Sequence, residues 1–197
     1  MKLLLIEPLL THKKCLRQAP KALTLNAKTK LGAAELAASG SGLRVFDRVE
    51  RAIDSDIPSI QKLLNHYAAM GDLLPRTKSD IIANLQHFRV IKKGGHVIAC
   101  GSLEHFTEEL AEVRSLMVAS DIKRGGLGRK IIEELVATAR ERNVTRVMAL
   151  TYVPEFFHKL GFITVNKDIF PEKIWGICVN CYKFHNCDEI AVLLKLK

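Results

Sequence analysis

Val113-Arg114-Ser115-Leu116-Met117-Val118, then Lys123-Arg124-Gly125-Gly126-Leu127-Gly128, then apolar Leu127, Ile131, Leu135 and Ala139 at every fourth position: this stretch decides the fold. Its first part reads as an apolar strand. Its last part is one face of a helix laid against a sheet. Between them the glycines remove side chains where the helix begins, so several backbone N–H groups lie bare at its positive end. Such an end suits a di-anionic phosphate, and a cofactor carrying a pyrophosphate is the first functional expectation. A Gly-Gly pair before a helix is also the mark of a plain tight turn. The dinucleotide fingerprint of three spaced glycines is absent, because Lys123 and Leu127 occupy the wrong places, and no Gly-Lys-Ser/Thr closes a nucleotide phosphate loop.

Working outward, residues 45–52 alternate apolar and polar like a first strand. Asp54 or Ser55 can cap a helix with Pro58 in its first turn, an apolar face of Ile57, Ile60, Leu64 and Tyr67, and Gly71 at its end. Thr77 or Ser79 caps a second helix running through Leu85. Residues 88–92 and 96–105 pair as a hairpin across Lys93-Gly94-Gly95, and 108–110 connect to the strand at 113–118. After the long helix come a strand at 146–151, a short helix at 154–160 stopped by Gly161, and strands at 162–165 and 189–195. This order predicts an α/β (α+β) layering, a central mixed sheet covered by helices. The strand ending at Val118 and the strand at 146–151 are the expected parallel neighbours, joined through the helix as a crossover.

The 197 residues suit one domain with a real core, carrying a formal net charge of +9. Residues 1–44 hold eight Lys/Arg against Glu7 and Glu35, so +6 of that charge sits there and +3 remains for the rest. The basic stretch ends in Ala-Ala-Ser-Gly-Ser-Gly at 37–42 and reads as a flexible extension, with the folded domain occupying 45–197. An organelle transit peptide is the sharper reading of it, less favoured because Lys outnumbers Arg. No apolar run approaches the roughly 18 residues of a membrane span. Neither a nucleic-acid nor a membrane partner is therefore expected. Cys15, Cys100, Cys178, Cys181 and Cys187 are odd in number, which points to free thiols and a reducing, cytoplasmic compartment.

These residues resemble the GNAT (Gcn5-related) N-acetyltransferases. The family's strand followed by Gln/Arg-x-x-Gly-x-Gly/Ala is matched by Lys123-Arg124-Gly125-Gly126-Leu127-Gly128, with Lys123 in the first position. Its second signature, a short helix ending in an aromatic and Gly-Phe, is matched by Phe156-Phe157-His158-Lys159-Leu160-Gly161-Phe162. The similarity covers about residues 46–196. It implies a GNAT fold, a mixed and mostly antiparallel sheet with a splayed strand pair that takes acyl-CoA. Leu74-Pro75-Arg76-Thr77, 111–118, 150–157 and Cys178-x-x-Cys181 through Cys187-Asp188-Glu189 further resemble the short, single-domain glutamate N-acetyltransferases of bacterial arginine biosynthesis. The implied reaction is transfer of acetyl from acetyl-CoA to the α-amine of L-glutamate, with a homodimer compatible. The long form carries an amino-acid-kinase domain that senses arginine; no such domain is read here, and the sequence leaves feedback by arginine open.

The resemblance assigns roles. Amides from Lys123 and Arg124 through Gly125, Gly126, Leu127, Gly128 and Arg129 hold the pyrophosphate. The backbone at Leu116, Met117 and Val118 pairs with the pantetheine arm, and an N–H near Met117 or Val118 polarises the thioester oxygen. Leu116–Val118 is at the same time a core strand. Glu112 falls where related histone acetyltransferases keep their catalytic glutamate; Glu104 and His105 are second choices. Many relatives protonate the leaving thiolate with a tyrosine at the position of Phe157, so Tyr152 is the substitute acid here. Arg76 and Arg114 suit the two carboxylates of glutamate, and Ser115 its α-group. Each of these side chains also has a plain structural reading, as a solvated or ion-paired group. Cys178, Cys181, Cys187 and His185 could bind zinc, but the spacing is cramped and no metal is expected. Alternatives are the same reaction on glutamine or a peptide N-terminus, a CoA-binding regulator without turnover, and a nucleic-acid module using the basic extension.

Overall fold

The computed structural model describes residues 48–122 and 125–197. The expected extension at 1–44, the proposed domain start at Val45, and Lys123 and Arg124 of the glycine motif lie outside them. Seven strands form one sheet: β1 (Glu50–Arg51), β2 (Phe88–Lys93), β3 (His96–His105), β4 (Leu110–Val118), β5 (Arg146–Thr151), β6 (Ile163–Val165) and β7 (Ile190–Lys195), ordered β1-β2-β3-β4-β5-β7-β6. Every neighbouring pair is antiparallel except β4 and β5. Helix α3 (Leu127–Glu141) is the crossover between those two, as the sequence implied.

Helices cover both faces. Val90 and Ile91 are adjacent on β2 and so point to opposite sides. Ile91 packs in the cluster of α3, with Ile131, Leu135 and Ala139. Val90 packs with Ile60 and Leu64 of α1 (Ile57–Ala69) and Ile81 of α2 (Lys78–Ala83). The buried face of α1 is Ile57, Ile60, Leu64 and Tyr67, the four positions the periodicity picked out. Each such buried side chain contributes about 1.5–3 kcal/mol. Thr77 and Asp80 cap α2 reciprocally, with Asp80 N–H donating to Thr77 Oγ1 and Thr77 N–H to Asp80 Oδ2, both at 3.1 Å. Among the described residues no helix is long and apolar enough to cross a membrane.

Two irregularities in β4 make room for a site. Cys100 pairs with Met117 while Ser102 pairs with Arg114, so β4 carries one residue more than β3 over that span, a bulge. Within it Ser115 has φ of 51°, a left-handed conformation that costs a non-glycine residue about 1–2 kcal/mol. The second irregularity is on the other edge. The parallel pairing to β5 holds only for Leu110↔Arg146, Ala111↔Val147 and Glu112↔Met148. Beyond it β4 runs on to Val118 while β5 stops at Thr151, and the sheet opens as a wedge.

Expectations on several elements change, and the second helix ends at Ala83 rather than running through Leu85; a 3-10 turn at Leu85–His87 follows. The first strand is Glu50–Arg51 among the described residues, shorter than 45–52, because Ala52 turns into the core and a 3-10 turn follows at Asp54–Asp56. Strand β4 begins at Leu110 rather than 113, which brings Glu112 into the sheet. The helix at 154–160 is α4 (Pro154–His158), and α5 (Pro171–Gly176) was not foreseen. With six residues, of which Lys173 is the buried one, α5 shows no helical period to read.

Candidate active site

The wedge between β4 and β5 opens into a cleft of about 1010 Å3, large enough for a cofactor arm and a small acceptor. Its floor is the splayed part of β4, with Leu116, Met117 and Val118. The Tyr67 hydroxyl donates to the Val118 carbonyl and fixes the end of that strand to α1.

One end of the cleft is the start of α3, where Gly126, Leu127, Gly128 and Arg129 line the surface. Gly126 caps the helix with φ of 77°. The Lys130 N–H donates to the Gly126 carbonyl at 3.1 Å, so the amides of Leu127, Gly128 and Arg129 precede the first intrahelical bond. Gly125 serves the turn itself, its N–H donating to the Ile122 carbonyl at 3.3 Å. At Gly128 a Cβ would stand 3.4 Å from Phe156 Cζ and 3.5 Å from Val118 Cγ2, so the glycine keeps the helix close to the cleft wall. Phe157, at the position of the missing tyrosine, is buried between Phe156 and Phe162 with ring centroids 5.3 Å away on each side, and it still lines the cleft.

The opposite end is a charge network. Arg76 Nη1 donates to Glu104 Oε1 at 2.7 Å and to Ser115 Oγ at 3.2 Å. Arg114 Nη1 donates to Glu104 Oε2, and Ser102 Oγ to Glu104 Oε1 at 3.2 Å. Burial would raise the Glu104 carboxyl, but Arg114 and Arg76 outweigh it and hold the group below its ordinary range. Glu104 is thus a fixed anion between two guanidinium groups. Each guanidinium offers five N–H donors, so both keep donors for a ligand. Arg114 also lies with Nε 3.4 Å from Glu112 Oε2, and Lys173 Nζ donates to the same oxygen at 2.7 Å. Glu112 and Lys173 are 2% and 5% exposed, a buried ion pair whose atoms nonetheless face the cleft.

Tyr152 stands on the far wall. Its hydroxyl donates to Asp188 Oδ1 and accepts from Lys183 Nζ, both at 2.8 Å. Desolvation is the first cause that raises its titration above the usual phenol value, so it stays protonated. His105, a second-choice base, is turned toward Arg142, 3.1 Å from its Nε2, and is not among the cleft-lining residues described. Arg76, Glu112, Arg114, Ser115, Leu116, Met117, Val118, Gly126, Leu127, Gly128, Arg129, Tyr152 and Phe157 all share the one cleft.

Elsewhere on this wall Lys173 carried no signal in the sequence, and Glu189 was marked only as part of the Cys178–Glu189 stretch, with no role. Lys173 and Glu189 both line the cleft, as do Cys178, Cys181 and Cys187. The segment from 166 to 189 is built of short turns without periodicity, so nothing in its pattern says which side chains point inward. Burial pushes the Cys178 thiol up, and among the described residues no three His, Cys, Asp or Glu groups are arranged to hold a metal ion.

Residues 58–162 match the family described as the acetyltransferase (GNAT) family. An uncharacterized N-acetyltransferase of Chlorobaculum tepidum is 36% identical over 148 residues, covering 75% of this chain and 96% of that protein. An amino-acid acetyltransferase of Neisseria meningitidis serogroup A is 29% identical over 129 residues; the match takes in 64% of this chain but only 30% of that relative's length. The crystal structure of Rv2747 from Mycobacterium tuberculosis, in a complex containing CoA, has a TM-score of 0.65 at 28% identity, over 76% of this chain and 99% of that one.

Proposed function

This chain belongs to the acetyltransferase (GNAT) family and is an acetyl-CoA-dependent N-acetyltransferase, and from that premise we propose that its acceptor is the α-amine of L-glutamate, as in the first step of arginine biosynthesis. One observation carries this reading: Arg76 and Arg114 converge on Glu104 beside Ser115, at the end of the cleft where an acceptor would enter. Two guanidinium forks with spare donors match an acceptor that brings two carboxylates. The name of the Neisseria relative, an amino-acid acetyltransferase, supports the same class of acceptor.

In this reading the pyrophosphate of acetyl-CoA rests on the amides of Gly126, Leu127, Gly128 and Arg129 at the start of α3, with Lys123 and Arg124 contributing and Gly125 shaping the turn. The pantetheine arm adds to β4 where β5 has left it, along 113–118. An N–H at Met117 or Val118 polarises the thioester oxygen, a donor worth about 3–4 kcal/mol in the transition state. The amine attacks the carbonyl directly, with no acyl-enzyme. The departing thiol has an ordinary value of about 8.5, so it leaves largely as thiolate; Tyr152, a protonated phenol, is the donor available to it. The ammonium must first lose a proton, and two of the carboxyl groups that line the cleft are shielded glutamates: Glu112, expected from the sequence, and Glu189.

The test is purified protein incubated with acetyl-CoA and a panel of amines while free thiol is followed. The highest kcat/KM is expected with L-glutamate. Preference for glutamine or a peptide N-terminus overturns the acceptor, and tight acetyl-CoA binding without thiol release from any amine makes the protein a CoA-binding regulator.

A further inference from the structure

We propose that Glu189 is the catalytic base that takes the proton from the incoming ammonium, and that Glu112 is a positioning residue that holds Arg114 and Lys173 in the acceptor site. The inference rests on acetyl transfer to an amine, not on glutamate being that amine.

Asp72, Glu112, Asp168 and Glu189 line the cleft, the two aspartates exposed; with Glu104 in the adjoining charge network, the three glutamates have different partners. Glu104 is bound by Arg76, Arg114 and Ser102. Glu112 is buried against Lys173 at 2.7 Å and Arg114 at 3.4 Å. The Oε2 of Glu112 already meets an ammonium and a guanidinium, so it is not open to a proton from the incoming amine. Glu189 is different. The hydrogen bond it receives is a weak one, the Cys187 thiol at 3.9 Å from Oε2. It stands immediately before β7, whose first residue, Ile190, pairs with Thr151 at the splayed end of β5. That places it on the cleft wall, close enough to Arg114 and Tyr152 for its charge to act on both.

The charged groups around it come from every element that packs there: Glu112 and Arg114 of β4, Lys173 of α5, and Lys183, Asp188 and Tyr152 of the outer wall. Burial first, then the Glu112 charge, push the Glu189 carboxyl above its usual value. A raised carboxyl is better matched to an ammonium at neutral pH than an ordinary one.

The Glu189 carboxylate takes one proton from the ammonium, and the freed nitrogen lone pair forms the C–N bond to the thioester carbonyl carbon while the C=O π pair moves to oxygen. Collapse restores C=O and breaks C–S, so the pair leaves on sulfur. A second N–H proton compensates the thiolate, and the proton on Glu189 returns to solvent.

The experiment compares kcat and kcat/KM across pH for wild type, Glu189→Gln, Glu189→Asp and Glu112→Gln, each with its melting temperature, on whichever amine wild type acetylates. Glu189→Gln should lower kcat by about 10²–10⁴-fold and erase the acid-side fall in kcat/KM without lowering the melting temperature. Glu189→Asp should recover the acid limb at a reduced rate, and Glu112→Gln should keep that limb but melt earlier. An acid limb that survives in Glu189→Gln, or vanishes only in Glu112→Gln, overturns the assignment. Wild-type turnover of an amine other than glutamate overturns the acceptor reading alone; no turnover of any amine removes both.

Discussion

Lys173 Nζ lies 2.7 Å from Glu112 Oε2 with both side chains almost wholly shielded from solvent, and this contact ties α5 to the middle of the sheet. Lys173 also stacks over the Phe106 ring, 5.4 Å from its centroid. Removing Lys173 leaves the buried Glu112 carboxylate with Arg114 alone, at 3.4 Å, and breaking such a buried pair costs about 3–5 kcal/mol. Lys173→Met is therefore expected to lower the unfolding free energy by that amount in urea titrations. The double change Lys173→Met with Glu112→Leu should recover most of the loss, because two apolar groups replace the pair without stranding a charge.

Arg76→Ala and Arg114→Ala should raise KM for the acceptor about 10–150-fold each, the equivalent of one charge-assisted hydrogen bond at 1.5–3 kcal/mol. KM for acetyl-CoA should stay near the wild-type value, since neither side chain lies at the α3 end of the cleft. Initial rates with each substrate varied in turn separate the two constants.

Acid should loosen the network through Glu104. Its folded-state value is depressed, so it contributes stability that is fully present above its unfolded value, about 4.3, and lost as pH falls through the lower folded value. Glu104→Gln should flatten the stability curve below about pH 4. Glu189 acts with the opposite sign: its folded value is raised, so its contribution is present below the unfolded value and lost as pH rises through the folded one. Equilibrium unfolding at a series of pH values reads both.

At Gly126 no atom stands within 4 Å of a built Cβ, so substitution there is a test of backbone conformation alone. With φ of 77°, Gly126→Ala should cost about 1–2 kcal/mol of stability and weaken CoA binding, because the α3 amides are no longer presented in place. Calorimetric titration of CoA into wild type and variant gives the second quantity. Unchanged affinity would move the pyrophosphate elsewhere.

What could be read from the residues was what repeats. The hairpin of β2 and β3, the buried stripes of α1 and α3, and β5 all have periods long enough to show, and each lies where the pattern put it. The glycine motif could be read because it removes side chains from a place where backbone must be bare. The acceptor wall was hidden for the opposite reason. Lys173 sits in a six-residue helix and Glu189 before a strand, so their inward direction is decided by how the segment from 166 to 189 folds back on the sheet, not by local spacing. The partners of Glu112 were hidden too, because Lys173 is 61 residues away in sequence.

Only three residue pairs register β4 against β5, and past them the plank is split along its grain. In the proposed binding mode a thioester bedded in the crack supplies amides of its own and glues the halves together. Occupancy and rigidity then rise as one quantity: at about a hundred times Kd the ligand adds about 2.7 kcal/mol to the fold. A melting curve becomes a gauge of the enzyme's acetyl donor supply.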